Sequence, residues 1–198
     1  MAAMVDLDAP APPSPDHASI GPIVLVGMPG SGKSTVGEAL ARRLGSAFID
    51  LDLLVEAQSG RSIAEVFAMD GEPTFRRLET EALADVLRGD VRSVVVAPGG
   101  GAVLDPENRK LMRRHATVVW LDASAEVLAL RVGDGVTRPL LSGSDGRSGM
   151  VERLIDLHER RSPAYREAAH VVVHVDHKMP HDVAVEVADA LALLTVEP

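Results

Sequence analysis

Cysteine is absent from this 198-residue chain, which excludes disulfides and any metal centre built on thiolates. Aromatic side chains make up only 3% of it, too few for the stacking platforms that bind single-stranded nucleic acid. Basic residues are outnumbered as well, 20 Lys and Arg against 29 Asp and Glu. The resulting formal net charge of −9 argues against a duplex partner, because duplex affinity comes largely from neutralising phosphates. No apolar run approaches the ~20 residues that a membrane helix requires. The start, Met1 to Ile20, lacks both the basic and the apolar regions of a secretory signal. It reads as a disordered tail, since its Ala, Pro and Asp cannot bury enough surface to offset the entropy of ordering. These absences fit a cytoplasmic protein that handles small molecules.

What is present suits one folded domain over 21–198, with ordinary hydrophobic (46%) and charged (25%) fractions. Short apolar runs predict strands at Ile23–Gly27, Ala47–Asp50, Ser93–Ala97, Thr117–Leu121 and His170–Val175. Helical spacing predicts helices at Ser34–Leu44, Leu51–Gln58, Ser62–Met69, Pro73–Arg88, Pro106–His115, Ala125–Val132, Val151–Arg160 and His181–Leu194. Strands of nearly continuous Val, Ile and Leu, alternating with helices, point to an α/β domain with a parallel sheet covered on both faces. Two segments break the rhythm. Residues 51–88 are helical throughout and too long for a simple crossover, so a second substrate has room there. Residues 133–149 contain five glycines and no periodicity, which suggests a mobile lid.

The most specific signal is Gly27-Met28-Pro29-Gly30-Ser31-Gly32-Lys33-Ser34-Thr35, placed directly after a strand and opening a helix. Glycines let backbone N–H groups wrap closely around phosphate oxygens, and the helix N-terminus adds partial positive charge. Lys33 would reach the β- and γ-phosphates, and the Ser34 hydroxyl would take a position on Mg²⁺. The motif predicts binding of a nucleoside triphosphate.

Further candidates cluster at predicted strand ends, where ligands of parallel sheets sit. Asp50 and Asp52 alternate along the second strand, so both carboxylates are expected on one face. One suits Mg²⁺ or its waters and the other an attacking hydroxyl; alternatively, such a pair is a helix cap. Arg76 and Glu79 are one helical turn apart, so the glutamate can steady the guanidinium, although a solvated ion pair has the same pattern. Gly99, Gly100 and Gly101 bring bare backbone to the crevice after the third strand. Arg138 falls in the lid, where it could close onto the γ-phosphate. Arg161 reads by position as a cation ending a helix.

Together these motifs resemble the shikimate kinase family. The resemblance runs from about Ile23 to Val175 through the phosphate loop, F-I-D-L-D, Gly60–Phe67, D-G-E-x-x-F-R-R-L-E, the triple glycine, R-P-L-L and R-S-P-A-Y. It implies a P-loop NTPase-like three-layer sandwich with a five-stranded parallel sheet, a helical substrate-binding insertion and a lid. It implies phosphorylation of the 3-hydroxyl of shikimate by ATP, a step towards chorismate and the aromatic amino acids, with Mg²⁺ and with ATP and shikimate as the partners of a monomer. By that resemblance Gly30, Ser31, Gly32, Lys33, Ser34 and Thr35 hold ATP, and Arg131, Arg138 and Lys178 contact it. Ser34 and Asp50 serve the metal. Asp52, Arg76, Gly100, Gly101 and Arg161 hold shikimate, the two arginines on its carboxylate. Lys33, Asp52 and Arg138 are the expected catalytic residues.

The pattern departs from the family in having Pro98 before the triple glycine, and Lys178 where an arginine is often found. An aspartate, with an ordinary pKa of about 4, cannot deprotonate an alcohol in the ground state, so Asp52 is expected chiefly to orient the hydroxyl. Two other readings are another small-metabolite kinase on this fold, such as a gluconate kinase, and a catalytically silent ATP-binding module.

Overall fold

The computed structural model describes residues 21–89, 93–132 and 146–194. The tail Met1–Ile20 lies outside the described residues, and so does most of the 133–149 segment, including Arg138.

Five parallel strands form one sheet: β1 (Ile23–Val26), β2 (Ala47–Asp50), β3 (Val94–Ala97), β4 (Thr117–Asp122) and β5 (Val171–His174), in the order β2-β3-β1-β4-β5. Each lies within one residue of its predicted bounds. Central β1 and β3 are apolar at every position and buried at every position, as a sheet covered on both faces demands. Register pairs Val24 with Val96 on one side and Val118 on the other. The loops after β1, β3 and β2 therefore emerge side by side at the carboxyl edge, and the site is built there.

Helix α1 (Lys33–Leu44) turns Val36, Leu40, Ala41 and Leu44 into the core and stops at Gly45, whose φ of 63° suits glycine. Burying one such leucine contributes about 1.5–3 kcal/mol. Helix α2 (Leu51–Ser59) follows β2 without a loop. The two helices predicted between 62 and 88 run together as α3 (Ile63–Arg88), opened by a reciprocal cap between Ser62 and Glu65. Gly71 interrupts it with φ 80° and ψ 168°, and Pro73 restarts the second half in a first-turn position where its missing N–H costs nothing. The predicted break is thus real, but it is a kink.

Helices α4 (Pro106–His115) and α5 (Ala125–Val132) match expectation. Helix α6 does not: it spans Gly146–Ala168, beginning inside the expected lid and continuing well past Arg160. It survives Pro163 because the missing N–H would have bonded the carbonyl of Glu159, an exposed residue that water can serve. Ser162 also donates its hydroxyl to the His158 carbonyl (2.6 Å) in the turn before. Helix α7 (Pro180–Leu194) packs on α1 and is the last described element. Among the described residues no helix is long and apolar enough to cross a membrane.

Candidate active site

The loop between β1 and α1 contains Gly30 and Gly32 at φ 85° and 95°, conformations that side-chain-bearing residues rarely adopt. Gly32 caps α1 without a side chain, and no acidic residue stands in the first turn. The first N–H groups of α1 consequently have no side-chain acceptor at the cap, and the helix end stays electropositive. Lys33 folds back along this loop, donating to the carbonyls of Gly27 (3.0 Å) and Met28 (3.1 Å). Its ammonium therefore sits over the concavity lined by Gly30 to Thr35.

Asp50 and Asp52 do not share a strand face. Asp50 ends β2 and caps α2, its Oδ1 accepting the Asp52 N–H at 3.1 Å, and Asp52 lies in the first helical turn. Helix α2 starts at Leu51, as predicted, so Asp52 is helical and cannot alternate with Asp50 along a strand. The cap and the metal position are compatible, because the other Asp50 oxygen accepts from the Ser34 hydroxyl at 2.6 Å. These two hard oxygen ligands fit Mg²⁺, which keeps most of its waters and its phosphate ligands and needs few protein groups. Among the described residues no cluster of three or more carboxylates, imidazoles or thiols forms a metal cage.

A cleft of about 820 Å³ joins these parts. Gly30 to Thr35, Asp50 and Asp52 line it, as do Gly99, Gly100, Arg131 and Lys178. Arg131 bridges two loops at one end, donating to the carbonyls of Ser31 (3.4 Å) and Val175 (3.0 Å). Lys178 is paired with Glu186 at 2.6 Å. Arg76, Gly101 and Arg161 are not on the cleft wall itself; the triple glycine ties them to it.

The second half of α3 carries Arg76, held on three sides. Glu79 accepts from Nη1 at 2.7 Å, Glu72 accepts from Nε and Nη2, and the Phe75 ring lies 5.1 Å beneath the guanidinium. A Cβ at Gly101 would stand 2.7 Å from that guanidinium and would have to push it aside. Glu79 is fully buried, and burial pushes its carboxyl up to about 7 despite Arg76, with the charges of Asp52 and Glu72 acting in the same direction as burial. Its Oε1 has no hydrogen-bond partner and points at Gly99, beside an Asp52 oxygen.

Arg161 is not a helix-ending cation. It lies mid-α6, 7% exposed, and donates to the Gly100 carbonyl at 3.3 Å. No carboxylate pairs with it among the described residues. Leu154, Arg161, Tyr165 and Ala168 form one buried stripe, so a charge at a core position of α6 is the signal that sequence reading passed over. Tyr165, quoted in R-S-P-A-Y but given no role, donates to the same Gly100 carbonyl at 2.6 Å. Glu72 was likewise unassigned, although it stands four residues before Arg76 on the same helix.

With this geometry in hand, similarity to known proteins gives a consistent picture. The family model for shikimate kinase matches residues 29–192. A shikimate kinase from Symbiobacterium thermophilum is 48% identical over 171 residues, 85% of this chain and 95% of that one. The structure of shikimate kinase from Acinetobacter baumannii in complex with shikimate has a TM-score of 0.84 at 32% identity, covering 91% of this chain and 97% of that chain. A gluconokinase from Sinorhizobium meliloti, with a TM-score of 0.53 at 23% identity, shares the fold alone. Cleft, paired arginines and sustained identity along most of the chain converge, and we conclude that the chain belongs to the shikimate kinase family.

Proposed function

We propose that this protein transfers the γ-phosphoryl group of ATP to the 3-hydroxyl of shikimate, giving ADP and shikimate 3-phosphate, a step of the shikimate pathway. The observation that carries the reading is Arg161, a nearly buried cation with no acidic partner among the described residues, tied through the Gly99–Gly101 turn to a second arginine. A buried charge without a counter-ion is costly, and the carboxylate of shikimate supplies the missing anion. Arg76 and Arg161 then hold the acid end, by planar forks that fix orientation as well as adding energy.

The hydroxyl end falls to Asp52, which orients the nucleophile and accepts its proton late, since phosphoryl transfer involves little bond formation to the attacking oxygen at the transition state. The loop from Gly30 to Thr35 cradles the triphosphate and Lys33 stabilises its charge. Ser34 and Asp50 would hold Mg²⁺, which would supply charge neutralisation to the triphosphate. Arg131 and Lys178 flank the nucleotide end, and Arg138, outside the described residues, is assigned to the phosphates by its motif alone. We assign the protein to the cytoplasm as a monomer. Gluconate also carries a carboxylate, so the preference for shikimate rests on the 48% identity to a shikimate kinase along most of both chains.

ADP release coupled to a spectrophotometric readout, with shikimate, quinate and gluconate supplied in turn, tests the reading. Shikimate-dependent release well above the ATP-only rate is expected. Faster release with gluconate, or ATP binding with no acceptor-dependent release, would replace it with one of the alternatives.

A further inference from the structure

The Gly100 carbonyl accepts two hydrogen bonds from α6, from the Tyr165 hydroxyl at 2.6 Å and from Arg161 Nη1 at 3.3 Å. These donors saturate its two lone pairs. The shorter bond belongs to the phenol, whose ring is wholly buried and stacked on Trp120, with centroids 5.6 Å apart and planes 19° from parallel. Gly100 has little room elsewhere. A Cβ there would lie 2.9 Å from Pro29 Cδ and 3.2 Å from the Gly27 carbonyl, so the turn is wedged against the phosphate loop.

We propose that the Tyr165 hydroxyl is a positioning group for the acid substrate, holding the Gly100 carbonyl so that Arg161 is not drawn wholly onto it and keeps the rest of its fork for an incoming carboxylate. Removing the hydroxyl leaves Arg161 as the only side-chain donor to that oxygen among the described residues. The carbonyl then competes with the ligand for the guanidinium. Because burial, which outweighs the opposing charge and hydrogen bond of Arg161, pushes the phenol up to about 12, it remains a neutral donor across the working pH range. The inference rests on the reading of Arg161 as the carboxylate anchor, and it adds a residue that touches neither substrate.

Tyr165→Phe tests it by a split between kinetic constants. The shikimate KM should rise about five- to ten-fold, the range expected for losing one hydrogen bond in this setting. The ATP KM should stay at its wild-type value, and kcat should fall less than about three-fold, because the interaction lost serves binding rather than the transition state. Trp120→Phe controls for packing: it loosens the same core but spares the hydroxyl, so it should lower the melting temperature and leave the shikimate KM unchanged. Equal KM in Tyr165→Phe and wild type, or a parallel rise in both variants, would overturn the proposal.

Should Tyr165→Phe fail to fold, the wild-type protein offers a second measurement. Tyr165 is the only tyrosine, so tyrosine isotope-labelled at Cζ gives a single resonance from the folded enzyme. That resonance should move when shikimate is added and stay in place with the neutral methyl ester of shikimate. No movement with shikimate, or equal movement with the ester, would refute the link to the carboxylate. Failure of the underlying reading is distinguishable, because wild-type enzyme would then show no shikimate-dependent ADP release.

Discussion

Among the described residues, Arg161 and Glu79 are the two charged side chains that the interior tolerates at a cost, and each has a measurable consequence. Arg161 has no acidic partner among the described residues and donates to the Gly100 carbonyl, and on the proposed reading the substrate carboxylate is its counter-ion. Charge-assisted hydrogen bonds contribute about 1.5–3 kcal/mol each. Arg161→Ala should therefore raise the shikimate KM at least about ten-fold, leave the ATP KM unchanged, and reduce kcat less than it raises KM. Glu79 poses a different problem. Its carboxyl titrates near 7 in the folded protein, well above the ordinary value, because burial outweighs the Arg76 ion pair. A raised folded pKa means that the folded state binds the proton more tightly, so the stability this group contributes is present at low pH and lost as pH rises through about 7. Glu79→Gln removes that loss. The difference in melting temperature between Glu79→Gln and wild type should shift in favour of the variant between pH 5 and pH 8; a difference that is flat across this range would contradict the assignment.

Among the elements, α3 and α6 depart furthest from a reading of the sequence, and the reasons are physical. Strands were legible because parallel pairing buries both faces and leaves runs such as Val94-Val95-Val96 with no alternative. Helix ends were legible where a capping residue marks them, as at Asp105-Pro106. The length of α6 was not, because Pro163 reads as a stop signal and only the solvent exposure of the preceding turn makes it harmless. The strand–helix border after Asp50 was read where it falls, but the side-by-side placement of Asp50 and Asp52 was not, since Asp52 already belongs to the helix that Asp50 caps. Misplacing the end of α6 hid the nature of Arg161, which changes from a surface cation to a buried one. The kink in α3 is a separate matter. Gly71 has a φ of 80°, a region that disfavours any side chain. Gly71→Ala should cost about 1–2 kcal/mol of stability, measured by urea unfolding. Arg76 stands five residues beyond the kink, so the shikimate KM should rise more than the ATP KM.

Across the whole molecule, the proposed nucleotide side and the proposed acid side share one wall. The sheet order puts the loop after β1 next to the loop after β3, and Gly100 packs directly on Pro29. Phosphate loop, Asp52 and triple glycine were each legible as separate motifs in the sequence; their contact depends on a strand order that no local pattern encodes. Gly100→Ala should disturb both sides together, because its Cβ has no space towards Pro29 and the Gly27 carbonyl, and overpacking of this kind costs about 1–3 kcal/mol. Parallel increases in the KM for ATP and for shikimate are expected from steady-state kinetics, in contrast with the one-sided effect of Arg161→Ala. The negative net charge is no obstacle to two anionic substrates, since local cations in a cleft outweigh a distant average.

A crystal structure of the enzyme with shikimate and a non-hydrolysable ATP analogue measures the central claim most directly. The carboxylate should lie within hydrogen-bonding distance of both Arg76 and Arg161, with the ring 3-hydroxyl at Asp52 and facing the terminal phosphate. A ring turned so that its carboxylate meets neither guanidinium, or a hydroxyl remote from Asp52, would contradict the account.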